Sequence, residues 1–339
     1  VAAPVAPATE RYEHRHDWRR GLGDHTKLTV TSGNSTAALV WSELRQLMAG
    51  TTSVVGYGSA AGLVRNLDVP SQSGIPLTMA TESFPLGDSS GATLTSGCAY
   101  PSITSADSFA AATAYQFRAG EGIDARAANE LRCLSTDGDG GVGLYGTRAA
   151  VAGAVAADAP ALFAMAATGT GLIWSPRSNL ALYGDTVDVR TARGFGIDVS
   201  LASQWTPTGS MNLLRELACA DSFSRQYLDG ALTSRELWLM VTENPAVIAQ
   251  ASSELGALRV GLQGDLVIFD GSTHADYDAV VQAQSKDVMG VFRSGKLLFG
   301  LPALVASLRP GAACDALDVC GQSRALCLAE EVGSPLAAI

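Results

Sequence analysis

Residues Gly171 to Leu214 read GLIWSPRSNLALYGDTVDVRTARGFGIDVSLASQWTPTGSMNLL. An apolar run, Gly171 to Trp174, ends in the polar loop Ser175-Pro176-Arg177-Ser178-Asn179. A helix-like segment leads through Gly194 and Gly196 into a second apolar run, Ile197 to Ala202. That run ends in Gln204-Trp205-Thr206-Pro207-Thr208-Gly209-Ser210, and an amphipathic helix follows from about Met211. Two short buried strands joined by a helix make a βαβ unit, the building block of a parallel sheet. In a parallel barrel the loops after the strands carry the chemistry.

The same alternation extends upstream. Thr51–Gly56, Pro76–Thr81, Tyr115–Arg118 and Arg148–Ala152 read as strands. Ser42–Met48, Ala61–Leu67, Ser105–Ala114, Ala125–Cys133 and Ala156–Thr168 read as helices. Residues 1–35 are polar, lack an apolar period and are predicted to be irregular. DGDGG at 137–141 reads as a turn; it lacks the later Glu of a calcium loop. Downstream, Arg215–Tyr227 and Thr233–Ser253 are predicted helical, the second broken at Asn244-Pro245. From Gly256 the period changes, and Leu258–Val260, Leu266–Phe269, Val288–Phe292 and Lys296–Phe299 read as short strands. The expected organisation is an α/β barrel over residues 1–255, flanking β-domain strands over 256–305 and a cysteine-rich tail over 306–339.

The chain has 339 residues and a formal net charge of −10, which argues against nucleic acid and anionic membranes as partners by charge. No apolar run reaches the ~20 residues of a membrane span. The opening VAAPVAPATE lacks the basic start and apolar core of a signal peptide. Six cysteines occur, three of them in the stretch Cys314 to Cys327, CDALDVCGQSRALC. Without a CxxC pair and with only four histidines, a zinc knot is not expected. The clustering suggests disulfides and an oxidising compartment, hence a secreted, periplasmic or cell-surface protein; buried free thiols in a cytosolic protein are the alternative.

Four blocks, IWSPRSNLALYG, QWTPTGSMNLLREL, ELWLMVTENPAVIA and GLQGDLVIFDGS followed by DVMGVFRSGKLLFG, carry a resemblance. In order and spacing the chain, from about Glu10 to Gly300, resembles the metal-dependent amidohydrolases of the cytosine deaminase and atrazine chlorohydrolase branch. The resemblance implies a TIM-like (β/α)8 barrel with a small flanking β-sandwich and a zinc or iron ion at the barrel mouth. There a His-x-His pair, two further His and an Asp hold the ion, which acidifies a bound water. A Glu three residues after the fifth-strand His shuttles protons.

This sequence departs from that ligand pattern. Where the fifth-strand His-x-x-Glu-Gly belongs it reads Arg118-Ala119-Gly120-Glu121-Gly122; the sixth-strand His-Gly is Ala152-Gly153, and the eighth-strand Asp is Gln204. Arg repels a cation, Ala has no donor, and Gln offers one neutral oxygen. Arg118, Ala152 and Gln204 are therefore expected to be degenerate metal positions, with Glu121 vestigial and no metal cofactor. By the resemblance, Ser175, Arg177, Asn179, Trp205 and Ser210 shape the pocket. Ser175 and Ser178 sit in no nucleophile elbow and have no barrel-strand His to activate them. His14-x-His16 follows no buried strand and reads as a salt-bridged loop near the mouth rather than a ligand pair; His25 and His274 read as surface residues. Arg118 is expected to pair with Glu121, the alternative being an open pocket in which it binds an anion.

The expected function is that of a catalytically degenerate amidohydrolase-like protein, not an enzyme, with a binding, structural or assembly role outside the cytoplasm. The alternative is an active amidohydrolase cleaving C–N bonds of cyclic or amide substrates. A first barrel strand is not found in this chain, so a homo-oligomer is expected, with an N-terminal fragment or a neighbouring subunit completing the barrel.

Overall fold

The computed structural model describes residues 10–29, 33, 35–56, 60–135, 138 and 140–339. Seven strands follow one another in chain order, each paired in parallel within its sheet: β1 (Ser53–Val54), β2 (Arg65–Asn66), β3 (Met79–Glu82), β4 (Ala114–Ala119), β5 (Ala149–Gly153), β6 (Gly171–Trp174) and β7 (Val199–Leu201). β3 to β7 form one continuous sheet in that order, and β1 pairs with β2. The bond from Met79 N–H to the Leu67 carbonyl, 3.0 Å, links the two groups. Helices return the chain between most of the later strands, among them Ala125–Ser135, Ala159–Thr168, Pro176–Tyr183 and Leu213–Tyr227. This is the wall of a (β/α) barrel. No strand of the described residues is laddered to the outer side of β1 or β7.

Alternation along the strands sorts side chains by layer. On β4 and β5, Tyr115, Phe117, Ala149 and Val151 join the main core under the helices. Ala114 and Ala150 face the other way, with Met79 and Ile173, and meet Ile248, Ala249 and Ala251 in a second apolar cluster. The segment 248–251 thus plugs the barrel floor against β6: a methyl at Gly171 would lie 2.7 Å from Ile248 Cγ1. One layer above the floor, the same inward row carries Arg118 and Ala152, paired directly in register.

Several sequence expectations are corrected. Ala61–Leu67 is not a helix but a turn leading into β2, and Arg65 there is almost fully buried. Its guanidinium spans Asp265, with Nε 2.6 Å from Oδ2 and Nη2 3.1 Å from Oδ1, and so ties the barrel to the flanking domain. Ser105–Ala114 holds only a 3-10 turn, Ala106–Phe109, before the chain enters β4. Leu258–Val260 is exposed loop, with Leu258 84% and Val260 102% accessible. Within 1–35 the residues Arg15–Arg20 form a helix, and the 137–141 turn falls partly outside the described residues.

The flanking domain is a five-stranded antiparallel sheet. To β8 (Leu266–Phe269), β9 (Val288–Arg293) and β10 (Lys296–Gly300) the tail adds the hairpin β11 (Asp315–Val319) and β12 (Gln322–Leu326), in the spatial order β11-β12-β10-β9-β8. Disulfides join Cys314 to Cys327 across the base of that hairpin, and Cys98 to Cys133 between the loop after β3 and the helix Ala125–Ser135. Cys219 and Cys320 are free thiols. No helix among the described residues is long and apolar enough to cross a membrane.

Candidate functional site

The carboxyl end of β4 organises the barrel mouth. Past Ala119 the chain turns through Gly120-Glu121-Gly122, and segment 10–20 docks on that turn. Arg15 N–H donates to the Glu121 carbonyl at 2.8 Å and Ile123 N–H to the Glu13 carbonyl at 2.8 Å. The approach is tight: a methyl at Gly122 would lie 2.3 Å from the Glu13 oxygen. Glu121 itself fits because its neighbour on β5 is Gly153, where a Cβ would come 2.5 Å from Glu121 Cγ.

Glu121 is buried, and its carboxylate is saturated. Arg118 forks onto it, Nη2 2.7 Å from Oε1 and Nε 3.1 Å from Oε2. The Gln204 side-chain amide donates to Oε1 at 2.7 Å, and Arg15 Nη1 stands 3.5 Å from Oε2. Gln204 reaches this position from a left-handed backbone, φ 49°, uncommon for a residue with a Cβ and often found at sites the surroundings over-determine. Burial alone would raise the Glu121 carboxyl; Arg118 first, then Arg15, outweigh it and hold it below the usual carboxylate range. Arg118, Gln204 and Glu121 are thus brought into one hydrogen-bonded group, and Ala152 stands beside Arg118 with no donor atom.

His14 and His16 are the buried anchors of the docked segment. His14 caps the helix Arg15–Arg20, its Nδ1 accepting from His16 N–H at 3.1 Å. A backbone N–H only donates, so the ring proton of His14 is on Nε2, which gives it to Glu130 Oε1 at 3.0 Å. Glu130 Oε2 accepts from Gly120 N–H at 2.9 Å. Likewise Arg19 donates to His16 Nδ1 at 2.7 Å, leaving His16 Nε2–H to donate to Asp88 Oδ2 at 2.7 Å. His14, His16 and Glu130 offer atoms within 4.8 Å of one another, close enough in spacing for a cation. Yet all four ring nitrogens and both Glu130 oxygens already serve hydrogen bonds that hold the fold. Burial pushes His16 below the ordinary imidazole value, which keeps it neutral. His25 is partly buried among Glu10, Glu13 and Asp17, and His274 is exposed on the flanking domain.

Beside Glu121 lies a cavity of about 170 Å³ lined by Arg15, Trp18, Arg19, Ser83, Phe84, Arg118, Glu121 and Trp205. Trp18 and Trp205 stack with centroids 4.9 Å apart. The guanidinium carbons of Arg15 and Arg19 stand 4.7 and 4.3 Å from the Phe84 ring centre. Of the expected pocket-lining residues only Trp205 lines this cavity. Ser175, Asn179 and Ser210 are buried and Arg177 is exposed. Asn179 and Arg177 are tied to neighbouring segments, Arg177 across to the helix Leu213–Tyr227. Asn179 donates to Thr186 Oγ1 at 3.0 Å, and Arg177 N–H donates to the buried Glu216 at 3.0 Å. Sequence reading missed Arg15, Trp18, Arg19 and Phe84. The signal available was RHDWRR, cations interleaved with an aromatic.

Comparison with known proteins fits this architecture. No curated protein matches the chain. Among solved structures, an atrazine chlorohydrolase mutant from Arthrobacter aurescens TC1, complexed with zinc and atraton, superposes with a TM-score of 0.59 at 17% identity, covering 87% of this chain and 79% of its own. An adenosine deaminase from Xanthomonas campestris with bound zinc superposes at 0.53 and 17% identity, covering 77% and 68%. At that identity the likeness concerns the fold. The profile of the Amidohydrolase family matches residues 119–298, which run from the end of β4 into β10 and make up more than half of the sequence, and so the chain belongs to the amidohydrolase family.

Proposed function

We propose that this chain is a catalytically degenerate amidohydrolase-like barrel that works by binding at its mouth, without a metal ion. One observation carries the reading. The guanidinium of Arg118 and the amide of Gln204, two of the positions where the resemblance places metal ligands, converge on Glu121 and occupy its carboxylate. A divalent cation there would face a fixed positive charge, an alanine and a carboxylate whose lone pairs are already committed. The residues present do not fit zinc or iron, and no chemical step is derived through one. Glu121 is also a poor general base: a carboxylate held strongly ionised by two guanidinium groups has little tendency to take up a proton.

The two disulfides favour an oxidising location outside the cytoplasm. The sides of β1 and β7 to which no strand of the described residues is laddered favour assembly with a further strand, from a neighbouring copy or a separate fragment. Light scattering that returns a monodisperse monomer would remove the oligomer from this reading. The decisive test is elemental analysis of the purified protein after incubation with zinc or ferrous iron and desalting. The expected result is well under one metal per chain. Stoichiometric metal retained by the native protein and lost in Glu121→Ala would overturn the proposal.

A further inference from the structure

The mouth cavity has a sign. The chain as a whole carries −10, yet this cavity is lined by three guanidinium groups and one carboxylate. Counting Asp88, which holds Arg15 at 3.1 Å, leaves three positive against two negative groups, with His16 neutral. Arg118 is neutralised by Glu121 and Arg15 by Asp88. Arg19 is not: among the described residues no carboxylate oxygen lies within 4.0 Å of it, and its partners are the His16 ring and the Ser89 carbonyl at 3.5 Å. Arg15 is only 2% exposed and is held by Asp88 and by the Ser83 and Arg118 carbonyls, so Arg19 is the cation of the cavity left to a ligand.

The remaining wall is aromatic, from Trp18, Trp205 and Phe84. At about 170 Å³ the cavity holds roughly six waters' share of liquid volume, below the roughly 300 Å³ at which enclosed drug-sized sites begin. A small ligand is therefore selected: planar and apolar on one side, anionic on the other.

We infer that the barrel mouth binds a small aromatic carboxylate, its anionic end answered by Arg19 and its ring lying against the Trp18–Trp205–Phe84 wall. The inference rests on the metal-free binding reading above and gives that site its ligand class. An ion pair with a partly desolvated guanidinium is a charge-assisted bond, and the aromatic wall adds contact area that inorganic anions do not use.

The test uses the full chain and its own tryptophans. Fluorescence is titrated with benzoate, with the neutral isostere benzamide and with sulfate, all at constant ionic strength. Benzoate is expected to give a saturable change, with benzamide and sulfate each weaker by about tenfold or more. Arg19→Gln, checked for wild-type circular dichroism, should weaken benzoate by about tenfold and leave benzamide unchanged. Equal affinity for benzoate and benzamide, or no saturable response to benzoate, overturns the inference, and neither outcome depends on the variant folding. Metal content measured on the same sample separates the two levels. A metal-free protein that ignores benzoate sinks only the ligand class, whereas benzoate binding that requires added zinc sinks the metal-free reading as well.

Discussion

The Arg118 guanidinium lies flat on the Glu121 carboxylate three residues later, two nitrogens on two oxygens at 2.7 and 3.1 Å, at the end of β4. An i,i+3 pair spans this distance because the chain turns sharply through Gly120, φ 66°, directly after the strand. The pair is the structural centre of the mouth, and its removal is the most direct test of the arrangement.

Arg118→Met leaves Glu121 buried with only Gln204 and the more distant Arg15 as partners. Breaking a buried ion pair from one side costs about 3 kcal/mol or more. Urea unfolding should show that loss, and Arg118→Met combined with Glu121→Gln should recover part of it, because the second change removes the stranded charge. A double variant as unstable as the sum of the two singles would mean that the groups do not act as a pair.

His14 is predicted to matter for stability and not for metal. His14→Ala removes both a helix cap and the donor to buried Glu130, together about 2–4 kcal/mol. His14→Asn keeps a capping acceptor and should recover about 1 kcal/mol of that. Differential scanning calorimetry in chelator and in zinc should give the same ordering of the three proteins. A Tm raised by zinc in the native protein and not in His14→Ala would assign the cluster to a metal instead.

Acid should destabilise the mouth in two stages. His16 has a folded-state pKa below its ordinary 6.5, so below about that pH the unfolded chain binds the extra proton and stability falls. Asp88 and Glu121 are likewise held below their ordinary 3.8 and 4.5, the pull of neighbouring cations and hydrogen bonds outweighing burial, and their contribution is lost as pH falls further through that range. Glu43 and Glu216 work the other way: burial raises both above 4.5, so protonating them favours the folded state and offsets part of the first stage. Melting temperature against pH should therefore decline gently below 6.5 and steeply below 4.5. His16→Gln should flatten the first limb; a profile identical to the native one would remove His16 from the account.

The two disulfides should differ in weight. Cys98 and Cys133 close a loop of 35 residues and Cys314 and Cys327 one of 13. Loop-entropy reasoning assigns about 4 and about 3 kcal/mol to them. Paired Cys→Ala variants, compared by denaturant unfolding, should rank in that order. The tail pair should loosen only β11 and β12, detected as faster amide exchange confined to that hairpin.

Local pattern was enough for the sequence to determine the fold class and the order of strands and helices from Ala114 to Tyr227. Apolar period and turn residues are short-range signals. Short-range signals also misled where two structures share one pattern: Ala61–Leu67 has helical spacing but turns into β2, and Leu258–Val260 is apolar yet lies in solvent. The cap at His14 escaped notice because imidazole lies outside the common capping residues.

Only the tertiary structure decided the rest. The cavity draws on Arg15 and Arg19, Phe84, Arg118 and Trp205, five residues from four separated segments, and no spacing rule connects them. Its charge, its aromatic wall and the commitment of every ring nitrogen of His14 and His16 arise when segment 10–20 docks on the end of β4. That docking is a long-range event, set by backbone fit at Gly122 and Gly153 and by the pairing of buried charges, and it becomes legible only once those chain segments are placed side by side.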